Sequence, residues 1–101
     1  MKLAVICEKF GCSIRLTEER KQHIVSRHPE IRGNFNKIKP TLAKPDLIVA
    51  NRYAADEKYY HRFFETLGNY LIVVVNTDKK FIITAFIARE VKKGKLQWKK
   101  D

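Results

Sequence analysis

The sequence predicts an α+β fold in which one or two N-terminal helices pack on a four-stranded antiparallel sheet. A well-capped amphipathic segment occupies residues 17–28, and four runs rich in β-branched and aromatic residues follow Asp46. The connectors between these runs are too short for crossover helices, so the runs are expected to pair as an antiparallel meander. The four runs are residues 47–53, 58–65, 70–76 and 81–88.

The first helix is predicted from the signals at its two ends. Thr17 is a suitable N-cap, and Pro29 ends the helix just after His28. At about 100° per residue, His28 lies at the end of the apolar stripe, whereas His23 lies about 140° away from it. The two histidines are therefore not expected to share one close contact.

A second helix and a small N-terminal hairpin complete the predicted single domain. Phe35, Ile38 and Leu42 recur at helical spacing, and Pro40 fits that helix only if it begins near residues 37–39. The 101-residue chain is long enough for one core. The predicted parts are the hairpin (1–16), the helical part (17–44), the sheet (46–88) and a basic C-terminal tail (89–101).

The charge of the chain predicts a polyanionic partner. The sequence has 21 Lys and Arg against 11 Asp and Glu, a formal net charge of +10, yet 45% of its residues are hydrophobic. A folded polycation of this kind is typical of nucleic-acid binding, with an acidic protein or an anionic membrane surface as alternatives. No apolar run approaches the roughly 20 residues of a membrane span, and the N-terminal segment is too short for a signal peptide. We expect a cytoplasmic protein that binds RNA and no membrane, while its oligomeric state is not determined by the sequence.

No cofactor or metal is expected from the motifs present. The chain has no Gly-rich phosphate loop and no carboxylate cluster spaced for Mg²⁺. Cys7 and Cys12 are expected to be free thiols in the cytosol, and a zinc site would need two further ligands. Most classes of cofactor-dependent enzyme are therefore disfavoured.

The remaining polar residues suit metal-free RNA cleavage. That reaction needs a base for the 2′-hydroxyl proton, an acid for the leaving oxygen and cations for the charged intermediate. His28 could be the acid or base, because imidazole titrates near neutrality. The same residues also have structural interpretations: His28 as a core histidine bonded to a backbone carbonyl, Thr84 as a strand former, and Lys58, His61 and Arg62 as protection of an edge strand.

Five separated motifs occur in order: residues 14–20 (IRLTEER), 23–30 (HIVSRHPE), 41–46 (TLAKPD), 70–75 (YLIVVV) and 81–86 (FIITAF). Through them the chain resembles the phage-associated PBECR-type nuclease-like domains over about residues 14–98. Those domains are grouped with the barnase, EndoU, colicin-type and RelE-like ribonucleases. The resemblance implies their fold, one or two helices packed on a four-stranded antiparallel sheet.

The resemblance also implies a set of site residues for metal-independent cleavage of RNA. His28 matches a catalytic acid or base on the first helix, and Thr84 matches a hydroxyl that bonds a phosphate oxygen. Lys58 or Arg62 matches the phosphate-binding residue of a middle strand, and the choice among these two and His61 stays open. The further candidates are His23 as a reserve catalytic residue, Tyr60 for base stacking or hydrogen bonding, and Arg27 and His61 for substrate binding.

Three functions are therefore carried forward. The first is a toxin-like or RNA-processing ribonuclease that cleaves by 2′-hydroxyl transesterification. The second is a non-catalytic RNA-binding domain of the same fold, and the third is a protein-interaction module bound by an acidic antitoxin-like partner or inhibitor. The enzyme hypothesis expects His28, Arg62 and Thr84 to converge on one solvent-open concavity.

Overall fold

The computed structural model describes the backbone of residues 2–7 and 12–100 and the side chains from Ile14 to Lys100. Over these residues the elements are β1 (Lys2–Cys7), β2 (Cys12–Thr17), α1 (Glu18–Arg27), α2 (Ile38–Ala43), β3 (Leu47–Ala50), β4 (Glu57–Phe64), β5 (Asn69–Asn76), β6 (Phe81–Ala88) and β7 (Lys95–Lys99), with two single-turn 3₁₀ helices, Pro29–Ile31 and Phe35–Lys37, between α1 and α2. The seven described strands form one sheet in the order β1-β2-β6-β5-β4-β3-β7.

The predicted meander is present at the centre of this sheet. The four β-rich runs form β3, β4, β5 and β6, and neighbours in the chain pair antiparallel. The expected N-terminal hairpin is also present, because β1 and β2 pair antiparallel. Its connecting residues, 8–11, lie outside the described part of the chain.

The prediction of a purely antiparallel four-stranded sheet is wrong in two respects. First, β2 joins the sheet beside β6 in parallel, through the pair Arg15 and Phe81. The Arg15 N–H donates to the carbonyl of Lys80 at 2.9 Å, which fixes this junction. The hairpin, which was expected to be a separate small element, therefore extends the sheet. Hydrophobic patterns predict strands but do not determine which strand an isolated hairpin will join.

Second, residues 95–99 of the predicted basic tail form β7, which pairs antiparallel with β3. Asp46 holds the end of this strand: one carboxylate oxygen lies 2.8 Å from the Lys100 ammonium, and the other accepts the Phe63 N–H at 2.7 Å. Burial acts to raise the pKa of Asp46, but the hydrogen bonds from Lys100 and Phe63 outweigh it and lower the pKa. Residues 95–99 were not predicted as a strand because of their lysines. Exposed cations are, however, common on a strand at the edge of a sheet.

The starts of the two α-helices are explained by a capping residue in α1 and a proline in α2. The Thr17 hydroxyl accepts the Arg20 N–H at 3.1 Å and caps α1, which satisfies one of the unpaired donors of its first turn. Pro40 is the third residue of α2, where its missing N–H would have no partner within the helix. No helix among the described residues is long and apolar enough to cross a membrane.

The main core lies between the two helices and one face of the sheet, which we call the helix face. Ile24 of α1 and Leu42 of α2 are buried there against Val73 of β5 and Ala85 of β6. Since strand side chains alternate, residues next to these in β5 and β6 point to the opposite face. That opposite face is covered by a different part of the chain.

Residues 89–94, which we call the strap, connect β6 to β7 and must cross three intervening strands. The strap therefore runs over the face opposite the helices, which we call the strap face. Its last residue, Gly94, lies so close to β3 that a Cβ atom would overlap the Ala50 carbonyl oxygen and approach Val49 Cγ1 to 2.7 Å. Glycine at this position lets the strap lie directly on the sheet.

His61 of β4 anchors the middle of the strap. Its side chain is 0% exposed. Nδ1 lies 3.0 Å from the Tyr59 carbonyl oxygen, and Nε2 accepts the Lys92 N–H at 2.9 Å. An Nδ1–H tautomer satisfies both contacts, whereas a protonated ring could not accept from Lys92. Burial lowers the pKa of His61, against the raising effect of its backbone hydrogen bonds with Tyr59 and Leu47, so the ring is held neutral.

Acidification should therefore destabilise the protein through His61. Because the folded-state pKa of His61 is depressed, the unfolded chain binds its proton first, and stability falls as pH drops below about 6.5. The free energy of unfolding, measured by urea titration from about pH 7.5 to about pH 5, should fall less steeply in His61→Gln, which keeps a donor and an acceptor but does not titrate. Equal pH dependence in the two proteins would contradict this role.

Adding a side chain at Gly94 should also lower the free energy of unfolding. Gly94→Ala forces the strap away from Val49 and Ala50, and we expect a loss of about 1–3 kcal/mol in the free energy of unfolding. The neighbouring exposed Lys95→Ala serves as the control and should change stability by less than about 0.5 kcal/mol. A neutral Gly94→Ala in a urea titration would show that the strap does not pack tightly in solution.

Candidate functional site

His28 stands at the C-terminal end of α1, where its N–H donates to the Ile24 carbonyl at 2.7 Å and Pro29 then turns the chain away. The side chain is 35% exposed, and Nδ1 lies 3.6 Å from a carboxylate oxygen of Glu30. The ring packs on Phe86 of β6, with the centroids 5.3 Å apart. His28 thus combines solvent access, an anionic partner and a fixed position beside the sheet.

The sheet residues near His28 belong to the strap face. Thr84 and Phe86 alternate with core residue Ala85, so they point away from the helices. Strand register continues this face from Thr84 through β5 to Tyr59 on β4. Beyond its pair with β2 at Phe81, β6 has no further described partner on its outer side, which leaves room for His28 beside Phe86.

The strap supplies a cation to the same place. The Lys92 ammonium lies 5.6 Å from the Phe86 ring centroid and 5.5 Å from that of Tyr59. Both rings attract the cation through their π faces. Because His61 binds the backbone of the same residue, the Lys92 side chain is directed over these rings. His28 and Lys92 therefore contact one aromatic side chain in common.

Tyr59 is itself held in place by polar contacts. Its hydroxyl accepts a hydrogen bond from the Asn51 amide at 3.2 Å, and the same amide donates to the Glu57 carboxylate at 3.2 Å. The ring is therefore fixed at one end by Asn51 while Lys92 lies over its face.

These groups have complementary chemical capacities. His28 can accept or donate a proton, and a carboxylate oxygen of Glu30 lies 3.6 Å from its Nδ1. Lys92 can attract a phosphate, and the Thr84 hydroxyl can donate to a phosphate oxygen. The arrangement combines a group capable of proton transfer with groups capable of anion binding around half-buried aromatic rings. In the described part of the chain, no three His, Cys, Asp or Glu residues are grouped to hold a metal ion.

Arg62 does not join this group, contrary to the expected convergence with His28 and Thr84. Arg62 lies on the helix face, where its guanidinium donates to the Pro40 and Lys44 carbonyls at 3.3 and 3.4 Å. It thereby caps the C-terminal end of α2, a favourable position for a cation. Alternation along β4 defined two possible faces, and the one that carries Arg62 packs against the helices.

The other β4 candidates are likewise engaged elsewhere. Tyr60 is 2% exposed and belongs to the core, so it cannot stack on a base in this structure. Lys58, on the same face, donates to the Gln97 side chain of β7 at 3.2 Å. His61 is the buried anchor of the strap and has no ring nitrogen left for a substrate. None of Lys58, His61 and Arg62 therefore lies in the group around Phe86 as the expected phosphate-binding residue.

The remaining helix candidates lie outside the group around Phe86. His23 is exposed and lines a shallow cleft with Thr17, Glu19 and Arg20. Arg27 is exposed in the last turn of α1, one residue before His28. His23 thus stays a reserve candidate at a separate surface, whereas Arg27 could contribute charge beside His28.

Sequence reasoning missed four residues of the group: Glu30, Tyr59, Phe86 and Lys92. The spacing of two residues between His28 and Glu30 was a usable signal, as was the alternation that places Phe86 with Thr84. Lys92 had no signal of its own, because its position depends on the strap crossing the sheet.

Comparison with curated proteins and with solved structures gives no match. One family description matches nearly the whole chain, over residues 2–100, and its stated nuclease-like character agrees with the proton-transfer and anion-binding groups around Phe86. The chain belongs to the PBECR2 family, described as phage-Barnase-EndoU-ColicinE5/D-RelE like nuclease 2.

Proposed function

We propose that this protein is a metal-independent RNA endonuclease that acts in the cytoplasm. The observation that carries the proposal is the position of His28, which is partly exposed, paired with Glu30 and packed on the same Phe86 ring that Lys92 contacts. A net charge of +10 would raise the concentration of RNA around the protein.

The proposed reaction is transesterification within the RNA chain. The 2′-oxygen attacks the adjacent phosphorus and loses its proton to a base, while the bond from phosphorus to the 5′-oxygen breaks and that oxygen gains a proton from an acid. The products are a 2′,3′-cyclic phosphate and a free 5′-hydroxyl. His28 is the proposed residue for one of these two proton transfers, and the Glu30 carboxylate lies 3.6 Å from its Nδ1.

Lys92 and Thr84 are proposed to bind the reacting phosphate. The negative charge on the phosphate oxygens increases as the five-coordinate intermediate forms, so a fixed cation stabilises that state more than the ground state. Lys92 is held near the site from its backbone by His61, which reduces the reorganisation needed during reaction.

A non-catalytic RNA-binding role is the second candidate. It is favoured by the combination of Tyr59, Phe86 and Lys92, which would bind RNA without any proton transfer. Incubation of purified protein with RNA in EDTA separates the two functions. Fragments that end in 2′,3′-cyclic phosphate support the enzyme, whereas salt-dependent binding without fragments supports the binding domain.

Removal of the His28 imidazole should abolish most cleavage. We expect His28→Ala to lower the cleavage rate by about 10²–10⁴-fold, the usual contribution of general acid–base catalysis, while RNA affinity changes little. His23→Ala removes an exposed histidine from the same helix and tests the reserve candidate, with activity expected to be close to that of the wild type. Equal rates for His28→Ala and the wild type would refute the assignment.

Removal of the Lys92 cation should weaken both binding and catalysis. Lys92→Ala should reduce the slope of log affinity against log salt by about 0.7, the value for one phosphate contact with a single strand. Lys93→Ala removes the same charge from the next strap residue and tests whether position matters. Fluorescence anisotropy with uncleavable 2′-O-methyl RNA gives the slopes. Identical slopes and cleavage rates for Lys92→Ala and Lys93→Ala would show that Lys92 has no special place in the site.

A further inference from the structure

A second aromatic group lies on the strap face, away from the contacts of His28. Phe63 of β4 and Tyr70 of β5 are direct partners in the strand register, and their rings meet edge to face with centroids 5.5 Å apart. The Phe63 side chain is 44% exposed. An aromatic ring is thus presented to solvent and supported from the side by a second ring.

The support beneath this pair is rigid. The Tyr70 ring also meets the buried ring of His61 edge to face, with centroids 6.3 Å apart. His61 is fixed by two backbone hydrogen bonds. The backbone of Phe63 is fixed as well, because its N–H donates to Asp46. Phe63 would therefore lose little conformational freedom on binding a ligand.

The pair is close to the proposed reaction site. Tyr70 is the diagonal neighbour of Phe86, since Phe86 is paired with Ile72 two residues further along β5. Diagonal neighbours of this kind lie about 7–8 Å apart on one face of a sheet. A nucleotide beside the one that occupies the Phe86 site can therefore reach the Phe63–Tyr70 pair.

Charged residues lie next to the pair. Arg89 follows Ala88, the register partner of Tyr70, and is exposed. The exposed Lys100 ammonium binds Asp46, which in turn binds the Phe63 backbone. An exposed ring with Arg89 next to its register row matches an unpaired base and an adjacent phosphate, because base–aromatic stacking and phosphate contacts act together in single-strand binding. An apolar protein segment would not require the cations.

We propose that Phe63 and Tyr70 form a base-stacking subsite for an unpaired nucleotide next to the cleaved bond, so that the substrate is single-stranded RNA. The subsite rests on the proposed function, since the nucleotide that it holds belongs to the RNA cleaved at His28. Stacking on a ring face is tolerant of base identity. The subsite therefore selects unpaired strands and not a particular sequence.

The test compares Phe63→Leu with Tyr53→Leu in the full chain. Phe63→Leu keeps apolar volume but removes the π face, whereas Tyr53 is a 94% exposed aromatic residue outside the site and serves as the matched control. Affinity for single-stranded 2′-O-methyl RNA, which cannot be cleaved, is measured by fluorescence anisotropy over a range of salt concentrations.

We expect Phe63→Leu to weaken affinity by about 5- to 100-fold, the effect of one lost base–aromatic stack, with an unchanged salt slope. Phe63→Tyr restores a stacking ring and should recover affinity to within about twofold, as should the control Tyr53→Leu. Polyphosphate has no bases, so its affinity should be the same for Phe63→Leu and the wild type.

Three results would overturn the subsite: unchanged RNA affinity in Phe63→Leu, an equal loss in Tyr53→Leu, or an equal loss of polyphosphate binding. Wild-type dimerisation that Phe63→Leu abolishes, seen by sedimentation velocity, would assign the ring to self-association instead and also overturn it. Failure of the proposed function is distinguishable, because a wild type that cuts no RNA can still show the stacking effect in this binding assay.

Discussion

The hydrogen bond from the Lys92 backbone to the buried His61 ring is the interaction on which the arrangement of this protein depends. It holds the strap on the sheet, so that the following residues reach β3 and pair there as β7. It also directs the Lys92 ammonium over Phe86 and Tyr59. A histidine in this position must be neutral, because an Nε2 that accepts a hydrogen bond cannot carry a proton. Fold and candidate site are therefore linked through one ring nitrogen.

The two faces of the sheet divide structure from proposed function. On the helix face, Tyr60 fills the core and Arg62 caps α2, so both stabilise the packing of the helices. On the strap face, the rings of Phe86 and Tyr59 lie beneath a cation and beside a partly exposed histidine. Alternate residues of β4 thus face either the helices or the strap, so that a shift of one position moves a side chain from one face of the sheet to the other.

Much of the fold could be predicted from local signals. Thr17 and Pro29 mark the ends of α1, and Pro40 restricts where α2 can begin, since capping and proline geometry act over a few residues. The meander followed from short connectors, which exclude parallel neighbours. The strand β7 and the parallel junction of β2 with β6 could not be predicted, because pairing between distant strands depends on which sheet edges remain open.

The candidate site was predicted less well, for a related reason. His28 could be chosen from residue type and helix geometry, and its ring packs on Phe86. Thr84 was chosen as a hydroxyl within a central strand, and it lies on the same face of β6 as Phe86. The phosphate-binding residue was sought on β4, where the sequence shows which residues share a face. Both faces of β4 carry polar residues, so the sequence does not show which face packs against the helices. Arg62 lies on the helix face, opposite the face that carries Phe86. Lys92 could not be chosen at all, because a strap position is set by tertiary contacts.

The most direct test of this account is to find which face of the sheet meets RNA. Aromatic ¹H–¹³C spectra of the protein, recorded during titration with single-stranded 2′-O-methyl RNA, report on rings of both faces. The account predicts shifts for the rings of Phe86, Tyr59 and His28, with little change for Phe64, the ring beneath Arg62 on the helix face. Shifts centred on Phe64 with no change at Phe86 and His28 would contradict it.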